Sequence, residues 1–198
     1  MFLSSATSPS RLVRDFSWAG STRQSPPDAR IGSFTLLFQT EVAERICGKV
    51  NTSQYSRLSV LVQAWATARV LHSIPAKAFV PPPKVGTTLV SIVPHPPNTA
   101  RDNDAAASGE HPPLSAAEAP ALLLVTAAAF RQRRKMLRSS LAKLPRTGSA
   151  EAVVALCAAA GVEPTLRAGA VEVSRFIRLA RAYIVLEQEQ ERKQEKEQ

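Results

Sequence analysis

Arg131, Arg133, Arg134, Lys135, Arg138, Lys143 and Arg146 fall in a segment that contains no acid at all. Solvated helix faces ordinarily intersperse both signs of charge. A dense run of one sign suits phosphate, because each Lys or Arg placed on a phosphate releases condensed counterions. On a continuous helix Arg131, Arg134, Lys135 and Arg138 would form one stripe, opposite much of the apolar face. Phosphate contact is the chemistry expected of them.

Other chemistries lack parts. Cys47 and Cys157 lie far apart, with no Cys or His at metal-ligand spacing, and His72, His95 and His111 stand alone. No zinc site can be assembled from this inventory, and the cysteines read as buried, reduced thiols. Paired catalytic carboxylates, a Ser/His/Asp set and a Cys/His pair are equally absent. Glu41 and Arg57 read as structural partners, without chemistry.

The elements that must position the cations follow from periodicity. Residues 33–38 form an apolar run of strand length, and 41–49 then read as a helix ending near Gly48. Residues 55–65 make a second helix with Leu58, Leu61, Val62 and Trp65 on its apolar face. Residues 68–74 alternate, with Val70, His72 and Ile74 predicted on one side. Pro81-Pro82-Pro83 forces an extended turn without donors, and residues 87–93 follow as a β-branched strand. The two strands are expected to pair antiparallel at a sheet edge. Residues 121–144 read as one helix with Phe130, Leu137, Leu141 and Leu144 on one side. Residues 150–160 carry Val153, Leu156, Cys157 and Ala160 at i, i+3, i+4 and i+7, closed by Gly161. Residues 171–186 repeat the pattern with Val173, Phe176, Ile177, Ala180, Tyr183 and Ile184. Trp65, Tyr55 and Tyr183 are assigned to the core.

The organisation expected is a disordered or targeting segment at 1–30, an α/β part at 31–95, a disordered linker at 96–120, a helical domain at 121–186 and a charged, frayed tail at 187–198. Residues 1–30 are Ser-rich and carry Arg11, Arg14, Arg23 and Arg30, the composition of an organelle transit peptide, although Asp15 and Asp28 count against it. The net charge is +9 with a pI near 10.3, which favours a polyanionic partner. No apolar run approaches the roughly 20 residues of a membrane span, so the chain is read as soluble.

Three blocks in order carry a resemblance. The first is Phe38-Gln39-Thr40-Glu41-Val42-Ala43-Glu44-Arg45-Ile46 followed by Tyr55-Ser56-Arg57-Leu58-Ser59-Val60. The second is Ile74-Pro75-Ala76-Lys77-Ala78-Phe79-Val80-Pro81-Pro82-Pro83-Lys84-Val85, running on to Val90 and Pro94-His95. The third is Phe130-Arg131-Gln132-Arg133-Arg134-Lys135-Met136-Leu137-Arg138, with Gly161-Val162-Glu163-Pro164-Thr165-Leu166-Arg167-Ala168 downstream. Together they resemble the rRNA adenine N(6),N(6)-dimethyltransferases, in their bacterial and mitochondrial branch. The resemblance implies an α/β fold: the C-terminal part of a Rossmann-like S-adenosylmethionine-dependent methyltransferase domain, followed by a small all-helical RNA-binding domain. It also implies small-subunit rRNA or a pre-ribosomal subunit as partner, and a mitochondrion or other organelle, with the cytoplasm as alternative, as the place of action. Phe79 matches the aromatic that stacks on the flipped-out adenine; otherwise it is a core residue before a proline turn. Stacking on such a face repays about 1–3 kcal/mol of lost base stacking. Pro81 and Pro83 shape the loop, and Lys84 either reaches a phosphate or stays in solvent.

The sequence also departs from the family. Its glycines are Gly20, Gly32, Gly48, Gly86, Gly109, Gly148, Gly161 and Gly169, so there is no Gly-x-Gly turn for a methyl donor. Its asparagines, Asn51, Asn98 and Asn103, do not precede the Asn-(Leu/Ile)-Pro-(Tyr/Phe) string of the family's catalytic loop. Gly86-Thr87 stands where the family has Asp-Ser, and Glu172 where a Ser caps the last helix. The expectation is an N-terminally truncated homologue, inactive alone, with no catalytic residue, metal or bound cofactor of its own. The alternative is a non-catalytic RNA-binding factor in ribosome assembly.

Overall fold

The computed structural model describes residues 32–95, 114–145, 147 and 149–196. The expectations for residues 1–30 and for most of the 96–120 linker lie outside the described residues. The chain divides into two compact units, Met1–Lys49 with Ser53–Pro97, and Val50–Thr52 with Asn98–Gln198.

In the first unit β1 (Phe34–Gln39) runs directly into α1 (Thr40–Ile46). Next come α2 (Arg57–Gln63), β2 (Ala66–Ile74) and β3 (Thr87–Pro94). The strand order is β1-β3-β2, and β3 is antiparallel to both neighbours. β1 and β2 therefore point the same way, which requires a crossover connection, supplied here by α1 and α2. Alternation along β1 places Phe34, Leu36 and Phe38 opposite Ile92, Val90 and Thr88 on one face. That face packs on Ala43 and Ile46 of α1 and Val62 of α2.

Two close approaches fix the helices. A Cβ on Gly48 would stand 2.8 Å from the Gln54 backbone, so only glycine lets the chain double back after α1. The Ser59 hydroxyl accepts from Ser56 N–H at the start of α2 and donates to the Arg45 carbonyl at the end of α1. Glu41 is exposed on α1. It is bonded to Arg45 one turn along its own helix.

β2 carries a further correction. Its register against β3 shifts between Val70, opposite Val90, and His72, opposite Leu89. The extra residue, Leu71, turns His72 and Ile74 to the face of Arg69, away from Val70. Simple alternation put Val70, His72 and Ile74 together; the bulge separates them.

The second unit contains α3 (Ala119–Arg131), α4 (Leu137–Ser140), α5 (Ala150–Ala159) and α6 (Val173–Lys196). α3 begins inside the expected linker with Pro120 in its first turn, where a missing N–H costs no hydrogen bond. Just upstream, Leu114 is already buried. The single helix expected over 121–144 is broken: Gln132 leaves the helical region at φ −129°, ψ 72°, and Met136 is extended. Unbroken, it would run about 36 Å. Breaking it lets Leu137 and Leu141 reach complete burial.

α5 follows its sequence pattern, with Val153, Leu156, Cys157 and Ala160 all buried. It closes on Gly161 at φ +65°. Gly161 N–H bonds Ala158 O at 3.0 Å and Val162 N–H bonds Cys157 O at 2.9 Å, a Schellman ending. On α6, Phe176, Ile177, Leu179, Ala180 and Tyr183 are buried. The tail expected to fray from 187 is helical through Lys196. Tyr55 is fully buried, and Tyr183 is too, donating to Pro145 O at 3.1 Å, whereas Trp65 is only half-buried.

Candidate nucleic-acid interface

Two surfaces carry the residues singled out from sequence, one in each unit. In the first unit, β2 leads into a 3-10 turn at Ala76–Ala78, where Ala78 N–H bonds Pro75 O at 3.0 Å and Phe79 N–H bonds Ala76 O at 3.2 Å. Phe79 sits at the end of this turn with extended backbone and a half-buried ring. It is not part of the buried core. Pro81 is exposed and follows a cis peptide bond from Val80; Pro83 is half-buried; Lys84 is exposed. The loop returns at Gly86, whose carbonyl accepts Thr40 N–H at 3.0 Å, while the Thr88 hydroxyl donates to that of Thr40 at 3.2 Å. The β1–α1 junction thereby anchors the base of the Phe79 loop.

In the second unit, Arg131, Arg133, Arg134, Lys135, Arg138 and Lys143 are all exposed. They do not form a helical stripe. Arg131 ends α3, Arg133 to Lys135 lie on the connecting loop, Arg138 belongs to α4, and Lys143 to the 3-10 turn after it. Tertiary bonds hold the loop in shape. Leu137 N–H donates to Leu166 O at 2.8 Å and Arg138 N–H to Pro164 O at 3.0 Å. Met136 bridges Arg167 as a short antiparallel pair. The Arg133 guanidinium donates to Thr52 O at 3.0 Å, and Asn51, at φ +65°, donates its N–H to Gly169 O at 2.9 Å. At the base of the loop, the Phe130 and Phe176 rings stack with centroids 5.6 Å apart.

Arg167 is the residue that sequence reasoning missed. It is exposed, and the bridge to Met136 sets it beside the basic loop from a segment about thirty residues away. Its membership of the third sequence block was the only available signal.

Burial pushes the Cys157 thiol up to about 11 and raises Cys47 as well. Partial burial pushes the Glu118 carboxyl up, but the Arg181 guanidinium at 2.6 Å and Ser115 N–H outweigh it and hold it below the usual range. Among the described residues no three His, Cys, Asp or Glu side chains are grouped to hold a metal ion, and no helix is long and apolar enough to cross a membrane.

A sheet with β3 running against two parallel neighbours, followed by a helical unit, is an α/β fold that a solved structure shares. A dimethyladenosine transferase from Plasmodium falciparum superposes with a TM-score of 0.54 at 17% identity, over 80% of this chain and 59% of its own. Residues 25–107 match the family model described as ribosomal RNA adenine dimethylase. Ribosomal RNA small subunit methyltransferase A of Rhodospirillum rubrum is 45% identical over 149 residues, 75% of this chain and 44% of that protein. Its counterpart in Caulobacter vibrioides is 45% identical over 150 residues, 76% of this chain and 50% of that protein. Over these stretches the chain is similar to the ribosomal RNA adenine dimethylases. It spans about half the length of the curated relatives it matches.

The methyl donor of such enzymes needs a small-residue turn where a strand gives way to a helix. At the β1–α1 junction the chain passes from Gln39 to Thr40 without a glycine, and the Thr40 N–H is already taken by Gly86 O. That junction therefore offers no such turn.

Proposed function

We propose that this chain supplies RNA-holding surfaces of an rRNA adenine dimethyltransferase. The intact enzyme would use S-adenosylmethionine to dimethylate adenines of small-subunit rRNA, in the free RNA or in a pre-ribosomal subunit. The observation that carries the reading is the basic loop between α3 and α4: its cations are exposed, and backbone bonds to Leu166 and Pro164 hold its end in place. A loop so held presents charge with little entropy left to lose on binding. Phe79 supports the same reading, because a half-buried ring at a proline-stiffened loop suits stacking on an unpaired adenine.

By this proposal the 198-residue chain, taken alone, binds RNA and does not bind the methyl donor. Titration calorimetry with S-adenosylmethionine should give no heat; micromolar binding would overturn that part. Filter binding to a small-subunit rRNA hairpin should show a steep salt dependence. Salt-insensitive or absent binding would remove the RNA reading. An organelle ribosome as target is also part of the proposal, resting on the Arg- and Ser-rich residues 1–30; a fluorescent fusion that stays outside organelles would reject it.

A further inference from the structure

Val80 is 99% exposed; among the described residues the next most exposed large apolar side chain, Val185, is at 54%. It is not an isolated apolar atom group on the surface. Pro81 and Pro82 beside it are exposed, and Val85 is 48% exposed, so the loop tip as a whole offers apolar atoms to water. Three consecutive prolines fix their own φ angles and leave this tip few alternative shapes. The tip is therefore held out in solvent and cannot easily fold over to hide itself.

Charge says what kind of partner it fits. Lys77 and Lys84, on either side of the tip, are exposed, and the sequence has no Asp or Glu between Glu44 and Asp102. An apolar point set between cations, in a stretch of chain without acids, matches a nucleic acid, whose apolar base faces lie between phosphates. The backbone of Phe79 is extended, at φ −110°, ψ 150°, so the side chains of Phe79 and Val80 leave the chain on opposite sides.

We propose that Val80 is an RNA wedge. When an unpaired adenine leaves its stack to lie on the Phe79 ring, Val80 enters the neighbouring base step and fills the gap. Its ligand is RNA with adjacent unpaired adenines, and its role is that of a positioning residue. The inference rests on the Phe79 reading above.

The test uses the 198-residue chain and a hairpin with two adjacent unpaired adenines, one replaced by 2-aminopurine, beside a fully paired duplex of equal length. Val80→Asn should weaken hairpin binding by about tenfold, the loss of one buried aliphatic side chain. It should also reduce the 2-aminopurine fluorescence gain, with duplex binding and melting temperature unchanged. Val80→Leu should restore both hairpin signals. If Val80→Asn binds the hairpin like wild type while Phe79→Ala loses affinity, the wedge is rejected and the Phe79 reading stands. Equal loss on hairpin and duplex also rejects it. Should Phe79→Ala leave hairpin binding untouched, the reading beneath the wedge falls with it.

Discussion

Arg133 donates a guanidinium N–H to the carbonyl of Thr52 at 3.0 Å. From sequence alone Arg133 and Arg134 are equivalent neighbours in a basic run. In the folded unit they are not: one nitrogen of Arg133 is committed to the protein, while Arg134 is exposed on the loop.

The two arginines should therefore separate in an RNA-binding assay. Replacing Arg131, Arg134 and Arg138 together with Gln should flatten the salt dependence by up to about 3 in slope. Arg133→Gln alone should change the slope less than Arg134→Gln alone. Identical slopes for the two single variants would show that the Thr52 bond does not matter in solution.

Glu118 and Arg181 join the start of α3 to α6 through a bond of 2.6 Å, and both are partly buried. Glu118→Ala should cost about 1–3 kcal/mol, as expected when a charged hydrogen-bond partner is removed. The folded-state pKa of Glu118 is depressed, so between the folded and unfolded values the unfolded chain binds more protons. Its contribution is present above the unfolded carboxylate pKa and is lost as pH falls through the folded one. Denaturant melts across the acid range should show a shallower acid limb in Glu118→Gln than in wild type.

Gly161 holds a left-handed backbone at the end of α5, with φ +65°. Space is not the obstacle, since an added Cβ would meet the Arg178 guanidinium at an ordinary contact distance of 3.7 Å. Conformation is. Gly161→Ala should destabilise the helical unit by about 1–2 kcal/mol, read as a shift in urea midpoint without a change in slope. A stabilised variant would contradict the assigned backbone.

Cys157 is buried with a thiol pushed up to about 11, while Cys47 is half-buried. The thiolate is the reactive form, so the folded chain should resist labelling at neutral pH. What labelling occurs should begin at Cys47, and Cys157 should react only on denaturation. Rapid modification of Cys157 in native buffer would place it outside the core.

Local pattern was enough for much of the architecture. The strand at 34–39, the helices at 40–46 and 57–63, and above all α5 with its i, i+3, i+4, i+7 core residues follow from periodicities of two and 3.6, because each depends on which face of one element is apolar. Phe79 and the basic run were also visible in sequence, since residue type and lack of acids need no partner to be seen. Their setting was not. The break after Arg131 is held by bonds to Leu166 and Pro164, about thirty residues away, and no window around residue 131 contains those acceptors.

Register belongs to the same class. Whether His72 shares a face with Val70 depends on how β2 aligns against β3, and the bulge at Leu71 reverses what alternation implies. The extension of α6 to Lys196 also went unseen, because a charged run without apolar spacing looks the same whether it is helical or frayed. By itself, then, the sequence determined the element types, the apolar faces, the excess of cations and the family resemblance, all of which are written in residue identity and short spacing. Tertiary structure alone decided where the long helix breaks, which arginine anchors the loop, that Arg167 joins it and that Val80 stands fully in solvent. Those outcomes depend on which distant backbone donors and acceptors find one another, and chain order does not encode that locally.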